Sequence, residues 1–160
     1  MKKILIITIL LLIFFYSSIY SQSFNDFTLK DINGNSITIS SLLKESPVFI
    51  TFWKSTCRPS MDNLKELKEL EEKFKKKGVI FIAVNVGESK NTAVSTIKKL
   101  SIDCTILLDK NSMAVNLYQD EGIPIDMLIN QKQKIIYYRE GYYDDETSEL
   151  EAALRTLPDK

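Results

Sequence analysis

The chain has 160 residues with 21 basic and 21 acidic side chains, two cysteines and no histidine. The length favours a single domain, and the apolar share of 44% and the charged share of 26% are those of an ordinary globular protein. Without histidine, Ser-His-Asp and Cys-His nucleophilic sites and histidine-ligated zinc are excluded. A formal net charge of zero gives no electrostatic reason to expect nucleic acid. We therefore expect chemistry on cysteine, carboxylates, lysine, tyrosine or backbone groups, with no metal ion and no cofactor.

The N-terminal segment differs in kind from the rest of the chain. Two lysines near the start precede an apolar run over Ile4–Phe15, and serines follow at 17, 18 and 21. This pattern predicts a secretory signal peptide over 1–21, with cleavage just after Ser21. The apolar run is shorter than the roughly 17–25 residues that a spanning helix needs, so we expect no membrane contact unless the segment stays uncleaved. Residues 22–160 are then an extracytoplasmic, periplasmic domain in an oxidising environment.

Apolar periodicity and turn residues predict one α/β domain. Asn33-Gly34 between two alternating segments indicates a hairpin, and the run Val48–Trp53 is typical of a strand buried on both faces of a parallel sheet. The predicted strands cover 27–30, 36–39, 48–53, 79–84, 105–108, 127–130 and 135–138. The first predicted helix runs from the 55–59 turn to Gly78, and the second runs from its N-cap Asn91 to about residue 100. Two further helices are predicted over 112–118 and 145–157. Helices separate the middle strands and a polar turn joins the last two, so the fold class is α/β with a mixed central sheet.

Cys57 lies between a predicted strand and the long helix that follows it. Ligands in open α/β sheets bind beyond the carboxyl ends of the parallel strands, which is where Cys57 is placed. A thiol at a helix N-terminus faces unpaired backbone N–H groups and the positive end of the helix dipole, and both favour the thiolate. Arg58 adds a neighbouring positive charge. The alternative is an inert small residue in a turn, and the position favours a reactive cysteine over it.

The sequence WKSTCRPS at Trp53–Ser60 resembles the motif W-x-x-W-C-x-P-C of the thioredoxin superfamily. Three further landmarks follow in that family's order, at Phe81–Ser89, Leu107–Asp109 and Gly122–Pro124. Together they are similar to the extracytoplasmic thiol–disulfide oxidoreductases of the TlpA/ResA type over residues 24–157. The resemblance implies a thioredoxin-like fold, with a mixed central sheet, an N-terminal β-hairpin and an inserted helix–strand.

The resemblance also implies roles for individual residues. Cys57 is the attacking thiol, and Pro124 carries the family's cis-proline, which lies beside the thiol and presents the Ile123 backbone to a bound peptide. The implied partners are protein thiols and disulfides or low-molecular-weight thiols. The other members of the implied substrate groove are Trp53, Thr56 and Pro59.

Three departures from the family's pattern concern the chemistry. Ser60 occupies the second-cysteine position, so the motif is Cys-x-x-Ser, and an alcohol cannot attack a mixed disulfide to release its product. Ser60 can still hydrogen-bond the Cys57 thiolate from one turn down the helix. Thr56 replaces the tryptophan before the first cysteine. Asn63 replaces a glutamate that ResA-type proteins carry, so an acid–base partner is missing as well.

Cys104 is not expected to supply the missing thiol. It precedes the amino end of its strand, whereas Cys57 follows the carboxyl end of a strand predicted to run parallel. A five-residue strand is roughly 17 Å long, beyond the roughly 7 Å Cα separation that a disulfide permits. We therefore predict that Cys104 is a buried free thiol.

Two functions remain open, and a third fits the sequence poorly. A monothiol exchange protein would form a mixed disulfide through Cys57 and depend on an external thiol for release. A redox-inactive binding or chaperone-like module would keep the fold and bind extended peptide in the groove. A thioredoxin-fold peroxidase would have Thr or Ser three residues before its cysteine and proline four residues earlier, where this chain has Lys54 and Ile50.

Overall fold

The computed structural model describes residues 24–118, 122–142 and 147–160, apart from the side chains of residues 147 and 148. The predicted signal peptide, residues 1–21, lies outside the described residues. Within the described ranges, none of the helices is both long and apolar enough to cross a membrane.

Strands and helices alternate through the middle of the described chain, between two pairs of consecutive strands. The strands are β1 (Thr28–Asp31), β2 (Ser36–Thr38), β3 (Val48–Trp53), β4 (Ile80–Val86), β5 (Thr105–Asp109), β6 (Ile125–Ile129) and β7 (Ile135–Glu140). The helices are α1 (Ile39–Leu43), α2 (Arg58–Lys73), α3 (Lys90–Leu100) and α4 (Thr147–Arg155). Single turns of 3-10 helix cover Lys75–Lys77 and Val115–Tyr118.

The strands form one mixed sheet in the order β2-β1-β5-β4-β3-β6-β7. The three central strands β3, β4 and β5 run parallel, whereas β1 pairs antiparallel with β5 and β6 pairs antiparallel with β3. The carboxyl ends of the parallel strands therefore meet at one edge of the sheet, and Cys57 follows β3 at that edge. The predicted α/β class, the mixed sheet and the N-terminal hairpin are confirmed.

Helices cover both faces of the sheet, and β3 shows how its side chains divide between them. All six residues of β3 are buried. Val48, Ile50 and Phe52 pack with α1 and the 115–118 turn, whereas Phe49 and Trp53 pack with α2, α3 and α4. This alternation is the period of two that a strand dictates, with apolar partners on each side. The apolar run in the sequence is explained by burial on both faces.

Two element starts differ from the sequence prediction for local reasons. The sequence predicts a strand through Ile39, but α1 begins there, because Ile39 and Leu43 lie one helical turn apart and are both buried. The predicted N-cap of α3, Asn91, is also wrong. Ser89 is the N-cap, and its Oγ accepts a hydrogen bond from the backbone N–H of Thr92 at 3.2 Å. Serine and asparagine have similar capping chemistry, so the sequence did not separate these nearby candidates.

The end of α2 confirms the predicted stop at Gly78 but not a continuous helix up to it. α2 ends at Lys73, and Lys75–Lys77 form a separate 3-10 turn. Gly78 has a φ of +62°, a left-handed conformation that glycine adopts without a Cβ clash. The predicted helix over 112–118 is likewise only a 3-10 turn at its second half.

Candidate functional site

Cys57 is the N-cap residue of α2, at the carboxyl edge of the parallel strands. Its backbone N–H donates to the carbonyl of Lys54 at 3.2 Å, which closes the turn between β3 and α2. Its own carbonyl accepts the first helical hydrogen bond, from Met61 N–H at 3.2 Å. The side chain is half-buried and forms no disulfide. The thiol thus lies at the positive end of a 16-residue helix, as the sequence predicted.

The thiol of Cys57 contacts the segment before Pro124. The Ile123–Pro124 peptide bond is cis, which confirms the geometry that the resemblance implied. Cys57 Sγ donates a hydrogen bond to the carbonyl oxygen of Ile123 at 3.2 Å, across 66 residues of sequence. On the far side of the proline, Gly141 N–H donates to the Pro124 carbonyl at 2.7 Å. The ends of β6 and β7 therefore hold this segment against the thiol.

Ser60 and Arg58, the two residues expected to act on the Cys57 thiol, are fully buried and almost fully exposed, respectively. Ser60 is 0% exposed, and its hydroxyl has no hydrogen-bond partner among the described residues. The Ser60 hydroxyl does not bind the protonated Cys57 thiol, which donates to the Ile123 carbonyl, and a hydrogen bond from Ser60 to the thiolate stays a prediction. The Arg58 side chain is 94% exposed, and its Nε lies 3.8 Å from the carboxylate of Asp62. Solvent and Asp62 therefore screen its charge, and its stabilising effect on a thiolate stays a prediction.

The residues predicted to line a groove divide into exposed and buried ones. Thr56 and Pro59 are exposed and Ile123 is half-buried, so these three form the surface around the thiol. Pro124 is buried beneath them. Trp53 is 0% exposed and packs in the core between the sheet and α2, so its assignment to the groove is wrong. Side chains of a strand alternate between faces, and this last residue of β3 faces the helix rather than solvent.

A carboxylate for which the sequence suggested no role lies beside the turn that carries Cys57. Glu88 Oε2 accepts hydrogen bonds from Ser55 N–H at 2.9 Å and from Asn85 Nδ2 at 2.6 Å. Its Oε1 accepts from the Ser55 hydroxyl at 2.5 Å. Burial raises the pKa of Glu88, but the hydrogen bonds from Ser55 and Asn85 and the charge of Lys54 outweigh burial and lower it below the ordinary 4.5. The only sequence signal was that Asn85 and Glu88 share one family landmark.

A buried charge pair lies beneath α2. Thr51, Asp126 and Arg139 are in register on β3, β6 and β7, and Asn63 reaches them from the helix. Arg139 Nη2 donates to Asp126 Oδ2 at 2.5 Å and to Asn63 Oδ1 at 2.6 Å. Asn63 Nδ2 donates to Asp126 Oδ1 at 2.9 Å and to Thr51 Oγ1 at 3.2 Å. Burial raises the pKa of Asp126, while the charge of Arg139 acts in the opposite direction.

This buried network explains what Asn63 does at the position where ResA-type proteins carry a glutamate. The sequence indicated that Asn63 leaves the site without a carboxylate on the helix. The structure shows that Asn63 instead binds a carboxylate on β6, Asp126, which Arg139 neutralises. The sequence predicted this strand only from residue 127, so Asp126 was not recognised as a charge within the buried strand Ile125–Ile129, where it requires a partner. Its partner, 13 residues later, could not be identified from the pattern alone.

Cys104 is a free thiol far from the site in the fold. It precedes β5, at the amino end of the parallel strands, and packs against the apolar layer beneath α2 and α3. Burial, followed by the nearby charge of Glu71, raises its pKa to about 12. The prediction of a free thiol not bridged to Cys57 is confirmed, but Cys104 is half-buried rather than buried. In the part of the chain that the structure describes, no group of three or more Cys, Asp or Glu side chains is placed to hold a metal ion.

Comparisons with known proteins agree with this geometry. The family described as AhpC/TSA matches residues 20–138. The chain is 32% identical over 111 residues to the thiol-disulfide oxidoreductase ResA of Bacillus subtilis (strain 168), over 69% of this chain and 62% of that protein. The match therefore spans less than two thirds of the length of this curated relative.

Solved structures show the same fold. A protein described as a thiol:disulfide interchange protein DsbE from Chlorobium tepidum superposes with a TM-score of 0.77 at 24% identity, over 85% of this chain and 95% of that one. Peroxidoxin BcpB from Mycobacterium tuberculosis superposes with a TM-score of 0.74 at 15% identity, over 87% and 97%. At such identities the two structures support the thioredoxin-like fold and leave the reaction open.

Proposed function

Because this chain belongs to the AhpC/TSA family of thioredoxin-like proteins, we propose that it is a ResA/TlpA-type thiol–disulfide exchange protein that uses one thiol. The observation that carries the proposal is the pairing of Cys57 with the carbonyl of Ile123 at the N-terminus of α2. This arrangement combines a nucleophile, a helix dipole and a backbone acceptor at one point. The similarity to ResA supports the choice of thiol–disulfide chemistry.

In the first step, the Cys57 thiolate attacks one sulfur of a partner disulfide. The partner's S–S bond breaks, a new S–S bond joins Cys57 to the partner, and the second partner sulfur leaves as a thiolate. Ionisation of Cys57 removes the proton that now binds the Ile123 carbonyl. Formation of the nucleophile therefore also frees this carbonyl to accept an N–H from an extended partner segment.

Release requires a second thiol from outside the chain. Ser60 occupies the position one turn into α2, and an alcohol cannot displace a thiolate from a disulfide. A thiolate of a second redox protein or of a low-molecular-weight thiol attacks the mixed disulfide instead. A disulfide then forms between this thiol and the partner, and the Cys57 thiolate is restored without net oxidation. This cycle suits disulfide isomerisation or removal of mixed disulfides better than net reduction.

The proposed compartment is extracytoplasmic. The support is the sequence of residues 1–21, with its lysines, apolar run and terminal serines. Thiol–disulfide exchange of this kind is needed where disulfides form and persist. The test is the distribution of the natively expressed protein between periplasmic and cytoplasmic fractions, and a purely cytoplasmic signal contradicts the proposal.

A redox-inactive binding module is the second candidate, and the site itself provides its support. Ser60 replaces the second thiol, and Asn63 is engaged in a buried network instead of carrying a carboxylate beside the thiol. In such a protein the surface at Thr56, Pro59 and Ile123 binds extended peptide through backbone hydrogen bonds, and Cys57 does not react.

One experiment separates the two functions. The protein is mixed with a model mixed disulfide of a peptide and a chromogenic thiol, and adducts are measured by mass spectrometry. We expect wild type to form an adduct that persists until an external thiol is added. The Ser60→Cys variant is expected to release the peptide unaided and to end with an internal disulfide to Cys57. Adduct formation no faster than that of the Cys57→Ser variant contradicts exchange, and peptide binding without an adduct supports the binding module.

A further inference from the structure

We propose that Glu88 is a positioning residue that fixes the turn carrying Cys57 by holding Ser55 at two points. The inference rests on the proposed exchange function and adds a residue that acts on the reactive thiol through another residue. It assigns a role to a sequence landmark that the proposed mechanism does not otherwise use.

The first support is the geometry of the turn. Cys57 N–H bonds to the Lys54 carbonyl, so Ser55 lies inside the turn that sets the position of the thiol. Glu88 accepts both the backbone N–H and the hydroxyl of Ser55, at 2.9 Å and 2.5 Å. The two carboxylate oxygens therefore hold one residue at two points. Ser55 cannot rotate in the turn without breaking both hydrogen bonds.

The second support is the loop that brings Glu88 to this turn. Gly87, directly after β4, has a φ of +71°, and its N–H donates to the Asp109 carbonyl at 3.0 Å. Ser89, on the other side, is the N-cap of α3. The backbone is thus fixed on both sides of Glu88. A Cβ atom at Gly87 would lie 3.8 Å from Lys54 Cε, so this loop lies beside the side chain of Lys54.

The third support is the secondary contact that orients the carboxylate. Asn85 projects from β4 toward α2, in register with Trp53 on β3. Its Nδ2 donates to Glu88 Oε2 at 2.6 Å, the same oxygen that accepts the Ser55 N–H. Asn85 is 1% exposed, so its amide group lies in the protein interior and not in solvent. A positioned carboxylate with an oriented supporting group is the arrangement that functional sites need for precise geometry.

Charge and position predict opposite effects at this residue. A carboxylate near Cys57 disfavours a second negative charge, so loss of the Glu88 charge alone would favour ionisation of the Cys57 thiol. Loss of the hydrogen bonds to Ser55 would instead loosen the turn and lower the fraction of thiols in attacking geometry. A reacting atom displaced by about 1 Å can slow a reaction by about 100-fold. An increase or a decrease in the rate of mixed-disulfide formation therefore distinguishes a charge effect of Glu88 from a positioning effect.

Two variants of Glu88 separate charge from position. Glu88→Gln removes the charge but keeps an oxygen for the N–H of Ser55 and for Asn85, and its amide can donate to the Ser55 hydroxyl. Glu88→Ala removes all three hydrogen bonds. We expect Glu88→Gln to form the mixed disulfide at a rate within about threefold of wild type, and Glu88→Ala to be slower by about tenfold or more.

The matched control is Glu151→Ala. Glu151 on α4 accepts hydrogen bonds from Lys73 and Arg155, so this variant also loses a carboxylate with charged partners. Lys73 ends α2, about 24 Å along the helix from its start, so the control leaves the Cys57 turn unchanged. We expect Glu151→Ala to form the mixed disulfide at the same rate as wild type. Circular dichroism and a urea midpoint confirm that each variant is folded, and Ser55→Ala, which keeps the backbone hydrogen bond, serves as a milder second variant.

Hydrogen exchange of the Ser55 amide gives a readout that does not depend on activity. We expect this amide to be protected in wild type and in Glu88→Gln and to lose protection in Glu88→Ala. The positioning role is overturned if the Ser55 amide exchanges its hydrogen at the same rate in Glu88→Ala and in wild type. It is also overturned if both Glu88 variants form the mixed disulfide faster than wild type. If wild type itself forms no mixed disulfide, the proposed function fails. The Ser55 amide then decides the inference alone, because unchanged protection in Glu88→Ala overturns it and lost protection supports it.

Discussion

At the scale of single residues, the two cysteines are both half-buried, but their thiols have different surroundings. Cys57 is half-buried at a helix N-terminus, whereas burial raises the pKa of Cys104 to about 12. The Cys104 thiol therefore stays protonated through the range in which alkylating reagents are used, and a protonated thiol is a poor nucleophile. We predict that the native protein takes up one iodoacetamide label at pH 8, at Cys57, and two labels in denaturant. Intact-mass measurement gives both numbers.

The variant Cys57→Ser provides the control for this labelling. It is expected to take up no label when native and one label when unfolded. Labelling of Cys104 in native protein at a rate similar to Cys57 would contradict the raised pKa described for its thiol. Because the pKa of Cys104 is raised in the folded state, its contribution to stability is present below pH 9 and is lost as pH rises toward 12.

The second prediction concerns Ser60 and the stability of the protein. Its hydroxyl is buried without a partner among the described residues, and such a group costs about 1–3 kcal/mol of desolvation. We therefore predict that Ser60→Ala leaves the free energy of unfolding unchanged or increases it by up to about 1 kcal/mol. The matched control is Ser89→Ala, which removes a hydroxyl that caps α3, and it is expected to cost about 0.5–2 kcal/mol. Urea denaturation of the three proteins gives the comparison, and equal losses for both variants contradict an unpaired Ser60.

At the scale of elements, the buried pair of Asp126 and Arg139 joins β6 and β7 to α2. The two side chains are 0% and 6% exposed, and Asn63 connects them to the helix that begins at Cys57. Removal of one partner of a buried pair leaves an uncompensated charge. We predict that Arg139→Met lowers the free energy of unfolding by about 3–5 kcal/mol, measured by urea denaturation.

Arg155→Met is the control for this prediction. Arg155 pairs with Glu151 on one helix, and its side chain is 64% exposed, so we expect a change below about 1 kcal/mol. A loss in Arg139→Met as small as that in Arg155→Met would mean that Asp126 is protonated in the native protein, and the ion pair described above would then be wrong.

The elements also show what could be predicted from the sequence. The run Val48–Trp53 identified a central strand because burial on both faces leaves an uninterrupted apolar pattern, and Cys57 followed from its position after that strand. The contacts around the site could not be predicted in the same way. Ser55 and Glu88 are 33 residues apart, and Asn63 and Arg139 are 76 residues apart. Such pairs depend on sheet order and register, which local periodicity does not specify.

Trp53 shows a different limit of the sequence. The resemblance indicated a groove residue from its distance to Cys57 along the chain. Its direction is set by strand alternation, which turns the side chain toward α2 and the core. The family motif could therefore locate the residue but not its exposure. Thr56, Pro59 and Ile123 lie in the turns and the first helical turn next to the strands, and they are the members of the set that reach the surface.

At the scale of the whole molecule, the fold determines where the site lies but does not determine which reaction occurs there. The same architecture occurs in a protein described as a thiol:disulfide interchange protein and in a peroxidoxin. The choice between these chemistries depends on the few side chains around the thiol. Here the position three residues before Cys57 is Lys54, and the position seven residues before it is Ile50, which is fully buried in β3. The chain therefore lacks, at these positions, the hydroxyl and the proline that a thioredoxin-fold peroxidase would have.

We predict that the protein does not turn over hydrogen peroxide. Peroxide can oxidise a partly exposed thiolate to a sulfenic acid, but rapid turnover also requires groups that hold the peroxide in line with the sulfur. Lys54 offers a flexible ammonium at the position where a hydroxyl would be needed, and the Ser60 side chain is fully buried. Consumption of peroxide with an excess of dithiothreitol is therefore expected to match that of the Cys57→Ser variant. Rapid consumption that the Cys57→Ser substitution abolishes would instead make peroxide the substrate, and Glu88 and the cis-proline segment would then position a peroxidatic thiol.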